Sequence, residues 1–233
     1  LLRKGFDEIL KSFDQTWEHV HQGQEWGKYP SEEVIRFTAR NFYSKDRQSI
    51  KLLDAGCGTG AVAWYLAREG FNVYAFDGSK TAIQKAAQRM KDEAFTAELS
   101  VCDATCLPYP DGFFDGVIDS VMVCANNIDS IKKILTECYR VLKPGGRFFS
   151  TGLFRSETTG YGSGKLIEPN TFTDISSGCL AGRGTVHFFN HKEITTLWQS
   201  AGFTNLLIDS INRSQYGGKE RISYFMVEAI KVE

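Results

Sequence analysis

The chain has 233 residues and a formal charge of −1, with apolar and charged fractions ordinary for a globular protein, which suits one large α/β domain. Near-neutral charge gives no general drive toward nucleic acid, and no run approaches the roughly 20 apolar residues that cross a bilayer. Without a basic-then-apolar N-terminal pattern the reading is a cytoplasmic protein, and its six cysteines, none in a CxxC pair, are read as reduced and structural.

In chain order, Leu2, Phe6, Ile9, Leu10, Phe13 and Trp17 recur at a 3.6-residue period and predict an amphipathic helix. A loop from His21 to Pro30 follows, unusually aromatic for a linker in carrying Trp26 and Tyr29. Ser31, as an N-cap before Glu32 and Glu33, predicts a second helix to about Tyr43. From Ile50 two periods alternate: strands over 50–54, 72–76, 97–102, 115–121 and 147–154, and helices over 60–69, 79–93 and 128–141. Such alternation implies a doubly wound, mostly parallel sheet with helices on both faces. Asn190 and Glu193 have capping-box spacing and open a last helix, which Gly202 ends. Two β-rich runs, 203–211 and 221–230, have no helix between them and predict an antiparallel hairpin. The chain thus divides into an N-terminal helical cap (1–49), a core (50–154), a Gly, Ser and Thr-rich insertion (155–189), and the final helix with its hairpin (190–233).

The stretch Leu52-Leu53-Asp54-Ala55-Gly56-Cys57-Gly58-Thr59-Gly60 carries the most information. An apolar strand runs into an acid and three glycines at alternate positions, so the backbone can turn sharply and lie close to a bound molecule, with a helix N-terminus beside it. Gly56-x-Gly58-x-x-Ala61 also satisfies the relaxed dinucleotide fingerprint, so the glycines alone leave the ligand open.

Several ordered stretches together resemble the class I S-adenosylmethionine-dependent methyltransferases. Asp54 to Gly60 resembles their first motif, and Asp77 falls at the end of the next strand. Cys102-Asp103-Ala104 resembles the turn that reads adenine, Phe114-Asp115-Gly116-Val117-Ile118 the fourth strand, and Leu142-Lys143-Pro144-Gly145-Gly146 the turn into the fifth. The resemblance is strong over about 50–154 and implies a Rossmann-like, seven-stranded sheet with the C-terminal hairpin at one edge. It implies S-adenosylmethionine as cofactor, bound by Asp54, Gly56, Cys57, Gly58, Gly60, Asp77, Gly78, Ser79, Asp103, Ala104 and Ser120. Asp54 would lie near the methionine amino group, Asp77 on the ribose hydroxyls, and Asp103 with the Ala104 amide on the adenine. The N-terminal segment covers the cofactor in similar enzymes, which makes Trp26 and Tyr29 candidates to line the pocket or close over the sulfonium.

The implied reaction is methyl transfer to an O, N, S or C nucleophile of a small molecule. The fourth strand ends in Asp119-Ser120-Val121-Met122, without the Pro-Pro-aromatic motif of enzymes that methylate DNA bases or protein amides. The fifth ends in Thr151-Gly152-Leu153-Phe154, without the paired acid and amide of metal-dependent catechol methylation. In similar enzymes the insertion at 155–189 builds the acceptor pocket, and His187, near its end, is the candidate for acid/base work, its bland alternative being a structural histidine bonded to loop backbone. His19 and His21 have no evident third ligand and are assigned no metal. Two rivals remain: a nicotinamide-dependent oxidoreductase on the same architecture, and a non-catalytic module that only binds S-adenosylmethionine.

Overall fold

A computed structural model describes residues 10 and 12–232. Much of the helix expected between Leu2 and Trp17 lies outside the described residues. Within them, residues 12–15 are not helical, and α1 (Thr16–Gly23) starts later and takes in His21, which the sequence had placed in a loop. Asp14 explains the late start. Its Oδ1 accepts the Thr16 amide at 2.9 Å, a local bond that competes with continuing a helix and favours starting a new one. The second helix, α2 (Glu32–Phe42), has two acids in its first turn and buries Val34, Phe37, Thr38 and Phe42, with Phe37 stacked on Phe149 at 4.7 Å.

The core then alternates β1 (Lys51–Ala55), α3 (Ala61–Arg68), β2 (Asn72–Asp77), α4 (Lys80–Asp92), β3 (Glu98–Val101), β4 (Phe114–Ser120), α5 (Ile128–Val141) and β5 (Leu142–Phe154). Three short strands follow: β6 (Lys165–Glu168), β7 (Thr171–Thr173) and β8 (Val186–His187). The chain closes with α6 (His191–Ser200), β9 (Phe203–Gln215) and β10 (Glu220–Lys231). The main sheet has the order β3-β2-β1-β4-β5-β10-β9, parallel except where β10 pairs antiparallel with β5 and β9. It is the seven-stranded sheet with an antiparallel hairpin that the resemblance implied.

Buried on both faces, β1 is continuously apolar through Leu52 and Leu53. It pairs with β2 on one side and β4 on the other, so strand order reverses at its carboxyl end and a crevice opens there. Behind the sheet, Glu228 of β10 is 6% exposed and receives Arg40 at 2.6 Å and Arg147 at 2.7 Å, tying α2 to the hairpin. Two cations on one buried carboxylate offset much of its desolvation.

The insertion is more ordered than its composition implied. Strands β6, β7 and β8 form a separate antiparallel sheet, and Phe172, Ile175, Leu180, Val186 and Phe188 join the main apolar core. Among the described residues no helix is long and apolar enough to cross a membrane.

Candidate active site

A cavity opens beyond the carboxyl ends of β1, β2 and β4. Its floor is the turn after β1. Gly56 has φ +71°, and a Cβ there would lie 2.3 Å from the Met122 Cβ, so only glycine lets the turn and the β4 loop meet. The Cys57 amide donates to the Phe76 carbonyl at 2.8 Å, pinning the turn to β2. The next amide, of Gly58, donates to Asp77 Oδ2 at 2.9 Å, while the Ser79 amide donates to Oδ1 at 2.8 Å. Each carboxylate oxygen of Asp77 is thus fixed by one amide and keeps acceptor capacity on the cavity side. Burial raises its pKa, against the pull of those amides and of His21.

A second wall is the loop after β4. Val121 has φ +76°, a strained value for a β-branched residue. Its amide donates to the Thr151 carbonyl at 3.0 Å, and Gly152 leaves room for it, since a Cβ there would fall 2.6 Å from Val121 Cγ2. Asp119 holds the loop from beneath, accepting the amides of Met122 at 2.7 Å and Val123 at 3.2 Å and the Ser150 hydroxyl at 2.5 Å. Full burial pushes its pKa up to about 6. Ser120, Val121 and Met122 all reach the cavity as a result.

The third wall is the N-terminal segment, which crosses the cavity as a strap. Ser12 bonds to Asp103, and Phe13 covers Gly78 so closely that a Cβ there would lie 2.1 Å from its ring. Asp14 Oδ2 accepts the Thr185 amide at 2.9 Å, joining strap to insertion. Glu18 accepts the hydroxyls of Ser79 and Thr81, each at 2.5 Å, and Lys85 donates to the His21 carbonyl. Against the cost of burial, the Ser79 and Thr81 bonds hold the Glu18 carboxyl below its ordinary range. Arg183 lies over the Trp26 ring at 4.7 Å and donates to Gln24 Oε1 at 2.9 Å.

The structure brings Gly56, Gly58, Asp77, Gly78, Ala104, Ser120 and Trp26 to this cavity. It does not bring the others. Asp54 is turned the opposite way, 1% exposed, with Oδ2 accepting the Ala63 amide at 2.8 Å, and burial lifts its pKa to about 8. It supports the start of α3 and the glycine turn from below. Cys57 contributes its backbone only; Gly60 is the N-cap of α3 at φ +84°; the Ser79 hydroxyl caps α4 by accepting the Ala82 amide at 3.0 Å. Asp103 is occupied by the chain itself. It accepts the amide and hydroxyl of Ser12 at 2.8 and 2.5 Å, and those of Thr105 at 2.8 and 2.6 Å. Tyr29 packs edge-on against Trp64 at 5.6 Å, on the outer side of α3, and is 72% exposed.

His187 is the largest correction. Its ring is buried in the insertion, bonded through Nδ1 to Thr171 Oγ1 at 2.7 Å and packed edge-on against Phe189 at 4.6 Å. Nε2 faces Glu193 at 3.3 Å without hydrogen-bond geometry. Nothing of it reaches the cavity, because the β7–β8 pairing turns it toward Thr171. The histidine that does line the cavity is His21, on α1 with Trp17. A sequence signal existed for the pair: an aromatic residue and a histidine four apart fall on one face of a helix.

Comparison with known proteins agrees with this architecture. A family model described as a methyltransferase domain matches residues 53–150. A demethylmenaquinone methyltransferase of Symbiobacterium thermophilum is 33% identical over 153 residues, covering 63% of this chain and 57% of the relative. One from Tropheryma whipplei is 39% identical over 149 residues, covering 63% and 56%. The chain therefore spans a little over half the length of these curated relatives. A solved S-adenosylmethionine-dependent methyltransferase from Methanosarcina mazei superposes with a TM-score of 0.70 at 21% identity, over 88% of this chain and 99% of its own. Residues 53–150 thus match the methyltransferase-domain model, and the chain shares the fold of that solved S-adenosylmethionine-dependent methyltransferase.

Proposed function

We propose that this protein transfers a methyl group from S-adenosylmethionine to a small, quinol-type acceptor. The observation that carries the reading is Asp77, a buried carboxylate at the strand-order reversal whose two oxygens are set by the Gly58 and Ser79 amides and still face the cavity. A carboxylate so placed can accept both hydroxyls of a ribose. The residues suit this cofactor in two further respects. Gly56, Gly58 and Gly78 reach the cavity, and among the described residues its lining holds two acids, Asp14 and Asp77, but neither Lys nor Arg. A cationic sulfonium is favoured beside acids and aromatic faces.

When bound, the cofactor supplies an electrophilic methyl group, so the protein's task is placement and exclusion of water. In this reading Asp77 fixes the ribose, the Gly56–Gly58 backbone carries the amino-acid end, and Ala104 borders the adenine. Asp54 and Asp119 act from beneath, as supports of the glycine turn and of the strained Val121 loop. Asp103 holds the strap down through Ser12, and Trp26 and Trp17 wall the acceptor side. The quinol-type acceptor follows from the names of the relatives and from the aromatic character of that wall. The deciding experiment pairs a thermal-shift comparison with an assay for released S-adenosylhomocysteine. Stabilisation by S-adenosylhomocysteine but not NADH, with release on adding a quinol, supports the reading. Stabilisation by NADH alone indicates the oxidoreductase, and cofactor binding without transfer to any quinol, phenol or amine indicates a binding module.

A further inference from the structure

β9 closes the main sheet at one edge, and among the described residues no strand pairs with its outer side. Sheet edges are ordinarily blunted by Lys, Pro, a bulge or short length. β9 has a bulge near its start, where the β10 register shifts between Glu228 and Ile230, but from Leu207 to Gln215 it pairs regularly and it holds neither Lys nor Pro. Leu207 is 60% exposed, and Tyr216, at the hairpin tip, 72%. A long, regular, partly apolar edge is a template for another strand.

β10 shows which backbone groups that edge offers. The amides of Arg221 and Ser223 donate to the hydroxyls of Thr159 and Thr158 at 2.9 and 3.0 Å, and their carbonyls accept the amides of Thr159 and Arg155, each at 2.9 Å. Both residues thus turn their backbone away from β9. In an antiparallel ladder the direction alternates, so Ile222, Tyr224 and Met226 turn toward β9, where they meet Arg213, Ile211 and Asp209. The residues between, Ile208, Ser210, Asn212 and Ser214, carry their amides and carbonyls outward to the free edge.

The side chains select what pairs there. Asp209, Ile211 and Arg213 share one face of the strand, the side of α2, since Tyr224 beside Ile211 donates its hydroxyl to Glu33 at 2.9 Å. Neither Asp209 nor Arg213 has an ion-pair partner among the described residues, although the charge of Arg213 is felt at Glu33. The two lie four apart with Ile211 midway. A second β9 laid antiparallel about Ile211 therefore sets Asp209 against Arg213 on both sides, with Ile211 against its own copy. Ser210 and Asn212 then exchange backbone bonds, as their outward groups require. Other registers lose this match. An axis at Asp209 or Arg213, or an in-register parallel pairing, sets like charge on like, and an axis at Ser210 or Asn212 leaves all the charges unpaired.

We propose that this protein forms a two-fold homodimer in which β9 pairs with β9 across Ile211, Asp209 and Arg213 of each copy meeting Arg213 and Asp209 of the other. Such an interface is isologous, the same patch serving both copies, and it joins the two main sheets into one. Opposite charges directly across a pair of strands stabilise it, and like charges there oppose it, so the same two residues also hold the register. No residue of β9 lines the cavity, so the dimer stands independently of the methyltransferase reading.

Sedimentation velocity on the wild-type chain should show twice the chain mass, giving way to monomer on dilution. Asp209→Arg and Arg213→Asp should each raise the dimer dissociation constant about tenfold or more, and the double exchange should bring it back toward the wild-type value. Position 211 faces its own copy at a Cα separation of about 4.5 Å, within disulfide range. Oxidised Ile211→Cys should therefore give a 211–211 disulfide, identified by peptide mass spectrometry, whereas Leu207→Cys should give no 207–207 bond. On the wild type itself the Ser210 and Asn212 amides should exchange hydrogen more slowly as concentration rises, which gives the same reading should a variant not fold. A wild type that is monomeric at every concentration overturns the proposal. So does a dimer that both charge reversals leave intact, a double exchange that restores nothing, or a dimer in which Cys at 211 does not cross-link.

Discussion

Ser12 gives both its amide and its hydroxyl to the carboxylate of Asp103, at 2.8 and 2.5 Å, so the residue expected to read adenine anchors the N-terminal strap. Against burial, those bonds and the ones from Thr105 hold the Asp103 carboxyl below its ordinary range. Asp103→Ala should release the strap at that end, a loss on the order of 1.5 to 3 kcal/mol for charge-assisted bonds. Limited proteolysis should then cut between residues 10 and 28 faster than in wild type, and S-adenosylhomocysteine should slow it. Equal cleavage rates would mean that Glu18 and Asp14 hold the strap alone.

Glycine substitutions in the turn should separate fold from ligand. Gly56→Ala sets a Cβ against Met122 at a positive φ and should cost about 2 to 4 kcal/mol in urea unfolding. Gly58→Ala meets only the edge of His21, at 3.4 Å, and should cost about 1 to 2 kcal/mol, the strain of φ +51°. Its larger effect should fall on cofactor affinity.

The strand ends and the glycine turn were legible because Leu52-Leu53 and the glycines of 56–60 are local signals that tertiary packing does not overrule. Side-chain direction was not. Asp54 and Asp77 both end strands, yet only the lone contact of Asp54 with the Ala63 amide shows that it points beneath the turn. The small sheet of 165–187 was hidden by its short strands and its Gly and Ser content, and its pairing decides where His187 faces. His21 was assigned to a loop because its place at the cavity depends on a helix that begins at Thr16 through the local bond of Asp14, a break the 3.6-residue period did not reveal.

Two buried acids give the fold a pH dependence. Burial raises Asp54 to about 8 and Asp119 to about 6, both from 3.8. A carboxyl whose folded pKa lies above its unfolded value stabilises the fold fully below the unfolded value and loses that contribution as pH rises through the folded one. Stability should therefore fall between pH 4 and 8, by a few kcal/mol in order of magnitude. Asp54→Asn should flatten the fall, read as melting temperature across that range, and an identical profile in the variant would contradict the placement of Asp54.

His187 should behave as a structural residue. Removing it breaks the Thr171 bond and empties a buried site, costing about 2 to 4 kcal/mol. His187→Ala should lower the denaturation midpoint and leave S-adenosylhomocysteine affinity and the pH dependence of turnover unaltered. A lost acid limb in the rate profile would restore it as a base.

Titration calorimetry of S-adenosylhomocysteine into wild type and Asp77→Ala tests the central claim most directly. Among the described residues Asp77 is the carboxylate lining the cavity that the Gly58 and Ser79 amides hold in place. The account predicts saturable binding by wild type, weakened about 10- to 150-fold in a folded Asp77→Ala, the equivalent of losing a charged acceptor worth about 1.5 to 3 kcal/mol. Equal affinity in the two proteins, or no binding by a folded wild type, would contradict it.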